Sequence, residues 1–360
     1  MARAPTADLA ERGAVLAPFE GIELVAHFGD VDREWRAARE GAAMFPAGHR
    51  RLIAATGGDR VEFLQGMLSN DVKALVPGGG CYASLLNQTG KVITDLRVYA
   101  DTDRLLLDVM AWRATALRES LERYLIADDV ELADAAEQPL LQLEGPLARA
   151  VAGEALGIAE LPRTPFAHLA GEFDGQRVRI VAASEVGGDG VLIGGPAEAL
   201  LRLFDACREA GAAPAGMAAL DRLRIEAGVA WPGIDMDEST LIMETGRDAA
   251  VSFSKGCYLG QEVVERIAAR GHVNRRISGV LLDGDTLPAR GTALLADGRP
   301  VGYVTSAARS PLFERPIALA MIQIKHGTVG DRLQRADDAT AATVAALPFE
   351  PSGSEEEPQS

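Results

Sequence analysis

Apolar positions along this chain recur in two rhythms, and the rhythm changes twice. Residues 1–50 sustain no period and read as an irregular stretch rich in Ala and Arg. Residues 51–56 form an apolar run that predicts a strand, stopped by Gly57, Gly58 and Asp59. Asp59 suits the N-cap of a helix whose apolar positions Val61, Leu64 and Leu68 lie three and four apart. The glycines of 77–80 predict a turn into a strand over 81–86. Asn87-Gln88-Thr89-Gly90 then reads as a hairpin turn, and residues 91–99 return as the partner strand. A third strand, 104–110, precedes a helix with Leu117, Leu121, Tyr124 and Leu125 on one face.

A second unit begins near residue 131, with strands over 140–143, 176–182 and 191–194 and helices over 197–210 and 218–227. Past Arg276 the helical period vanishes. Short apolar runs at 277–282, 292–295, 301–305 and 317–322 are separated by Asp-Gly, Arg-Gly and Pro turns, the pattern of a small β-barrel. Strands and helices alternate without βαβ regularity or Rossmann glycines, so the fold class is α+β. The predicted division is an N-terminal α+β domain over 20–130, a second over 131–274 and a C-terminal β-barrel over 275–349. Residues 350–360, rich in Pro, Ser and Glu, read as a disordered acidic tail.

Composition narrows the function. A chain of 360 residues with 48% hydrophobic content can bury several cores. Its net charge of -16 repels polyanions, which argues against a broad nucleic-acid surface. Cys81, Cys207 and Cys257 are far apart and never paired as CxxC, so neither a disulfide framework nor a self-contained metal or cluster site is expected. No run approaches the length of a membrane span and the N-terminus lacks a secretory apolar region, so a reducing, cytoplasmic setting is expected.

Chemistry concentrates at residues 251–262. Residues 251–254 alternate like a strand, 255–258 make a turn, and a helix is predicted from Gln261 with Val263, Val264, Ile267 and Ala268 inward. A cysteine at a strand-to-helix turn beside Lys255 is placed for a stabilised thiolate, since helix dipole and ammonium both favour the anion. The competing reading is a small buried hydrophobe. Arg266, Arg270, Arg275 and Arg276 form a local basic cluster, suited to an acidic tail or partner surface or simply to neighbouring glutamates.

The octapeptide Lys255-Gly256-Cys257-Tyr258-Leu259-Gly260-Gln261-Glu262, followed by Arg266, resembles the signature of the YgfZ family within the glycine-cleavage T-protein superfamily. The resemblance spans roughly residues 45–349 and includes 63–72, Tyr82, Asn87, Gly90 with Asp95, the segment 223–228, and the barrel segments around Gly302 and Ser310. It implies a three-domain, aminomethyltransferase-like ring around a central tetrahydrofolate. It places Asp95, Glu226, Asn87, Tyr258, Gln261, Glu262 and Arg266 at the folate, and Cys257 with Lys255 as the reactive pair. Glu226 would meet the amidine-like edge of the pterin. Where the T-protein has an acidic pair, one aspartate of which assists the folate nitrogen, this chain reads Thr94-Asp95. The family's role in iron–sulfur cluster assembly or repair implies client enzymes or assembly proteins as partners, tRNA-thiomethylating enzymes among the clients. Two alternatives stay open: a folate-dependent aminomethyltransferase, and a non-catalytic folate-binding scaffold.

Overall fold

A computed structural model describes residues 6–271 and 273–350. The expected acidic tail beyond 350 and His272 lie outside the described residues.

One five-stranded antiparallel sheet positions the candidate site. Its order is Gly80–Leu86, Val92–Ala100, Leu105–Met110, Arg50–Thr56 and Glu131–Asp134. Because side chains alternate across a strand, each strand sends every second residue to the same face. Val92–Ala100 sends Leu96 and Val98 to one side, where they join Ile53, Leu107 and Val109 and pack under Phe63, Leu64, Leu117 and Leu121 of the helices Arg60–Met67 and Ala114–Glu122. The other side carries Asp95, Arg97 and Tyr99. Register sets Arg97 opposite Asp108 and Tyr82, so one sheet face is apolar and the other is lined with buried charge.

That charged face turns toward a six-stranded sheet of order His168–Phe173, Gln176–Ala182, Val191–Gly194, Leu140–Glu144, Ala43–Pro46 and Ala213–Pro214. Leu52, Tyr99 and Leu106 from the first sheet meet Leu140, Val181 and Leu192 from the second in one apolar cluster. The third unit is a closed barrel of six strands: Arg275–Leu282, Arg315–Gln323, Arg299–Ser310, Ala293–Ala296, Arg332–Arg335 and Ala341–Ala345. The helix Met217–Glu226 lies against it.

The sheets divide the chain differently from the predicted boundary at 130. Glu131–Asp134 closes the first sheet on Arg50–Thr56, whereas Ala43–Pro46 belongs to the second, paired with Leu140–Glu144. Pairing between strands distant in sequence leaves no local periodicity to read. Residues 15–50 also carry more regular structure than expected. Val15–Phe19 and Ile22–His27 form a hairpin whose turn residues Glu20 and Gly21 both have positive φ, 47° and 79°. Such a turn favours Asn or Asp in its first position, and Glu hid it. The barrel strands at 332–335 and 341–345 were not anticipated either.

Candidate functional site

On the charged sheet face, Asp95 is buried and accepts a hydrogen bond from the Tyr82 hydroxyl. Burial, reinforced by Asp95, pushes the Tyr82 phenol well above its ordinary pKa, so it stays a donor. Arg247 sits over the Tyr82 ring at 5.3 Å. Two residues along the strand, Arg97 reaches Glu185 at 3.1 Å and Asp108 at 3.5 Å, while Arg50 donates to Asp108 at 2.8 Å. Tyr99 donates to Asp108 at 2.6 Å. Two guanidinium groups thus face two carboxylates inside the protein, and formal charge cancels. Burial alone would raise Glu185; Arg97 and Arg50 outweigh it and hold this carboxyl well below the usual range.

Next to Glu185, His49 lies 3.9 Å away and its ring stacks on Trp231, centroids 6.1 Å apart. Both His49 ring nitrogens and Trp231 Nε1 are buried with no hydrogen-bond partner among the described residues, while Glu185 Oε1 faces Arg97 at 3.1 Å. Orphaned buried polar atoms are rare in native structures, and here they come from two rings stacked on each other. Trp231 in turn touches Trp112 and Phe19, both half-buried, so the cluster extends toward the surface through an aromatic rim.

Cys257 belongs to a second place. Its thiol is exposed beside a cleft of about 460 Å³ lined by Gly66, Gln88, Tyr124, Tyr258, Gln261 and Glu262. Residues 251–254 form no strand; this stretch is instead held against the segment that follows the helix Arg60–Met67. Ser252 N–H donates to Ser69 O, and Ser69 Oγ donates to Ala250 O. Leu259 N–H donates to Gly66 O further along. Gly260, at φ 83°, lies so close to the hairpin turn that an added Cβ would sit 2.5 Å from Asn87 O.

Lys255 does not serve Cys257. Its three N–H donors go to the carbonyls of Gln65, Leu68 and Asn70 at 2.7, 2.6 and 2.8 Å, at the C-terminal end of the helix Arg60–Met67. Those are groups that a helix end leaves unpaired, and a cation there also suits the helix dipole. The helix after the motif begins only at Gln261, four residues beyond Cys257, so its dipole end is not at the thiol. The expected Lys255–Cys257 pair is therefore replaced by a clamp and a separate surface thiol.

The remaining predicted residues scatter. Asn87 Oδ1 accepts from Thr89 N, Thr89 Oγ1 and Lys91 N, which makes it a turn former. Gln261 accepts from Tyr258 N–H and donates to Glu265; Glu262 and Arg266 are exposed on the same helix. Glu226 is not gathered with Asp95. Its carboxylate accepts from Trp35 Nε1 at 2.9 Å and from Ser310 Oγ, with Arg39 at 3.6 Å, tying its helix to the barrel. Arg275 pairs with Glu244 at 3.1 Å. Cys81 and Cys207 are packed within the fold, where burial pushes both thiols up to about 12. Sequence reasoning missed His49, Arg50, Arg97, Asp108, Glu185 and Trp231. The alternation Asp95, Arg97, Tyr99 was a legible sign of a polar face; His49 and Glu185, in loops, carried none.

Among the described residues no group of three or more His, Cys, Asp or Glu is placed to hold a metal ion. No helix among them is long and apolar enough to cross a membrane.

Two sheets meeting across a buried polar face, with a closed barrel as the third unit, define a T-protein-like architecture. The chain matches the GCVT N-terminal domain over residues 6–255 and the glycine cleavage T-protein C-terminal barrel domain over residues 275–349. It therefore belongs to the glycine cleavage T-protein, or aminomethyltransferase, family. An aminomethyltransferase of Nostoc sp. is 32% identical over 343 residues, covering 93% of this chain and 91% of that protein. One from Synechococcus sp. is 32% identical over 330 residues, covering 90% of each. The crystal structure of glycine cleavage system aminomethyltransferase T from Bartonella henselae superposes with a TM-score of 0.87 at 26% identity, over 96% of this chain and 97% of that one.

Proposed function

We propose that this chain binds tetrahydrofolate against the charged sheet face and transfers a one-carbon, aminomethyl-type unit to it. The observation that carries this reading is the buried Asp95 carboxylate, fixed by Tyr82 on the face where the two sheets meet. When a folate nitrogen attacks the one-carbon unit, the carbon's bond to the donor amine breaks; Asp95 takes the proton from the folate nitrogen and passes it to the departing amine. The relatives named aminomethyltransferase support the reaction class. The test follows transfer of a formaldehyde equivalent to tetrahydrofolate. Turnover by the wild type that Asp95→Asn loses supports the reading; equal turnover by both overturns it.

A second reading rests on Cys257. Lys255 and Tyr258 are buried while the thiol between them is exposed, so the octapeptide holds one reactive group outward. This arrangement suits a YgfZ-like role, in which the folate-loaded protein supports iron–sulfur enzymes, tRNA-modifying ones among them, through a transient thiol contact with a client or assembly protein. Cys257→Ala would then keep fold and folate binding but lose client activation. Full client activity with that variant removes the thiol from the account.

A further inference from the structure

One short segment joins the strand that carries Tyr82 to the stretch that carries Cys257. Residues 65–70 comprise the end of the helix Arg60–Met67 and the chain that follows it. On one side Ser69 N–H donates to Ser84 O, Ser69 Oγ accepts from Ser84 N–H at 2.9 Å, and Asn70 Nδ2 donates to Tyr82 O at 2.8 Å. On the other side Asn70 Nδ2 donates to Ala249 O at 3.0 Å and Ser69 Oγ donates to Ala250 O at 2.6 Å, while Asn70 O accepts from Lys255 Nζ at 2.8 Å. Asn70 thus spends both N–H groups of one amide on two carbonyls that belong to different parts of the site. Packing repeats the connection. Tyr82 rests against a buried cluster that holds Ala250, Val251 and Tyr258, and Arg247 lies over the Tyr82 ring.

Residues 251–260 form neither helix nor strand, so these tethers, and not a backbone ladder of their own, decide where Cys257 stands. Asp95 and the thiol lie on opposite sides of the first sheet. The Cys257 cleft runs along Gly66 and Met67 of a helix packed on the apolar face, and Leu259 joins that packing, whereas Asp95 is bonded to Tyr82 on the charged face. The sheet and that helix therefore keep a ligand at Asp95 from the thiol. We infer that Asn70 is a positioning residue that couples the two places: a ligand held against Tyr82 and Asp95 stabilises the tethered form of residues 247–259 and slows reaction at Cys257. The ligand favours the tethered form because the tethers hold both the backbone of Tyr82 and the guanidinium over its ring. This rests on the folate reading above and deepens it by giving the exposed thiol a ligand-dependent state. Coupling is reciprocal, so releasing the tether weakens ligand binding by the same factor.

The test follows the rate at which an uncharged maleimide modifies Cys257 in the full chain, read by mass spectrometry of its peptide, with and without saturating tetrahydrofolate. Tetrahydrofolate affinity is titrated in parallel, and a thermal melt confirms that each variant is folded. The expected result is labelling about fivefold slower with ligand in the wild type. In Asn70→Ala, or in Ser69→Ala should the first variant not fold, labelling without ligand is faster and bound ligand changes it by less than about twofold. Equal slowing in the wild type and a folded variant means that the ligand shields the thiol directly, and overturns the coupling. Wild-type labelling unchanged by bound tetrahydrofolate also overturns it and leaves the folate reading standing. Absence of tetrahydrofolate binding by the wild type removes the folate reading, and the coupling with it.

Discussion

The ammonium of Lys255 lies 2.6 Å from the carbonyl oxygen of Leu68, and this contact separates two roles that one sequence motif had merged. With Gln65 and Asn70 also bonded, the lysine fastens the Cys257 loop to the end of a helix in the first sheet's layer. Lys255→Met leaves three carbonyls without their donor. It should cost on the order of 3 kcal/mol in urea unfolding and speed modification of Cys257 by a thiol reagent. A variant as stable as wild type would mean that the clamp is dispensable.

Cys257→Ala removes an exposed side chain. Stability should stay within about 0.5 kcal/mol, and tetrahydrofolate affinity should not change. A large loss of stability would place the thiol in the packing, contrary to its exposure.

Glu144 gives a pH signature. It is fully buried, accepts from Glu185 N–H at 2.6 Å and Ser184 Oγ at 2.7 Å, and burial pushes it up to about 8. A carboxyl whose folded pKa is raised binds its proton more tightly when folded. Its contribution is therefore complete below its unfolded value of 4.5 and lost as pH rises toward 8. Relative to Glu144→Gln, the wild type should lose a few kcal/mol between those limits, at ~1.4 kcal/mol per pH unit crossed. Parallel pH profiles for the two proteins would contradict this.

Glu226→Ala should destabilise by about 2 kcal/mol, because it strands the Trp35 N–H and Ser310 hydroxyl at the seam between a helix and the barrel. Denaturant unfolding measures it, and an unchanged midpoint would show that neither hydrogen bond contributes.

Much of this architecture was legible in the chain. The strand expected over 91–99, found at Val92–Ala100, the Asn87–Gly90 turn and the amphipathic helix around Leu117 and Leu121 appear where the sequence pattern put them. The barrel followed from short runs and turns. What stayed hidden depends on contacts between distant segments. Lys255 finds its partners 185 to 190 residues earlier, and Glu226 finds Trp35 191 residues earlier. His49 and Glu185 meet only because two sheets face each other. A resemblance carries residue types but not which hydrogen bonds those residues have already made, which is why Glu226 looked free.

The most direct measurement is an equilibrium titration of the intact protein with tetrahydrofolate, followed by tryptophan fluorescence. Saturable quenching with one ligand per chain is expected, because Trp231 belongs to the aromatic cluster beside the charged sheet face. Asp95→Ala should weaken it about tenfold, and Cys257→Ala should leave it unchanged. Absence of saturable binding, or binding indifferent to Asp95, would contradict a folate site on this sheet face.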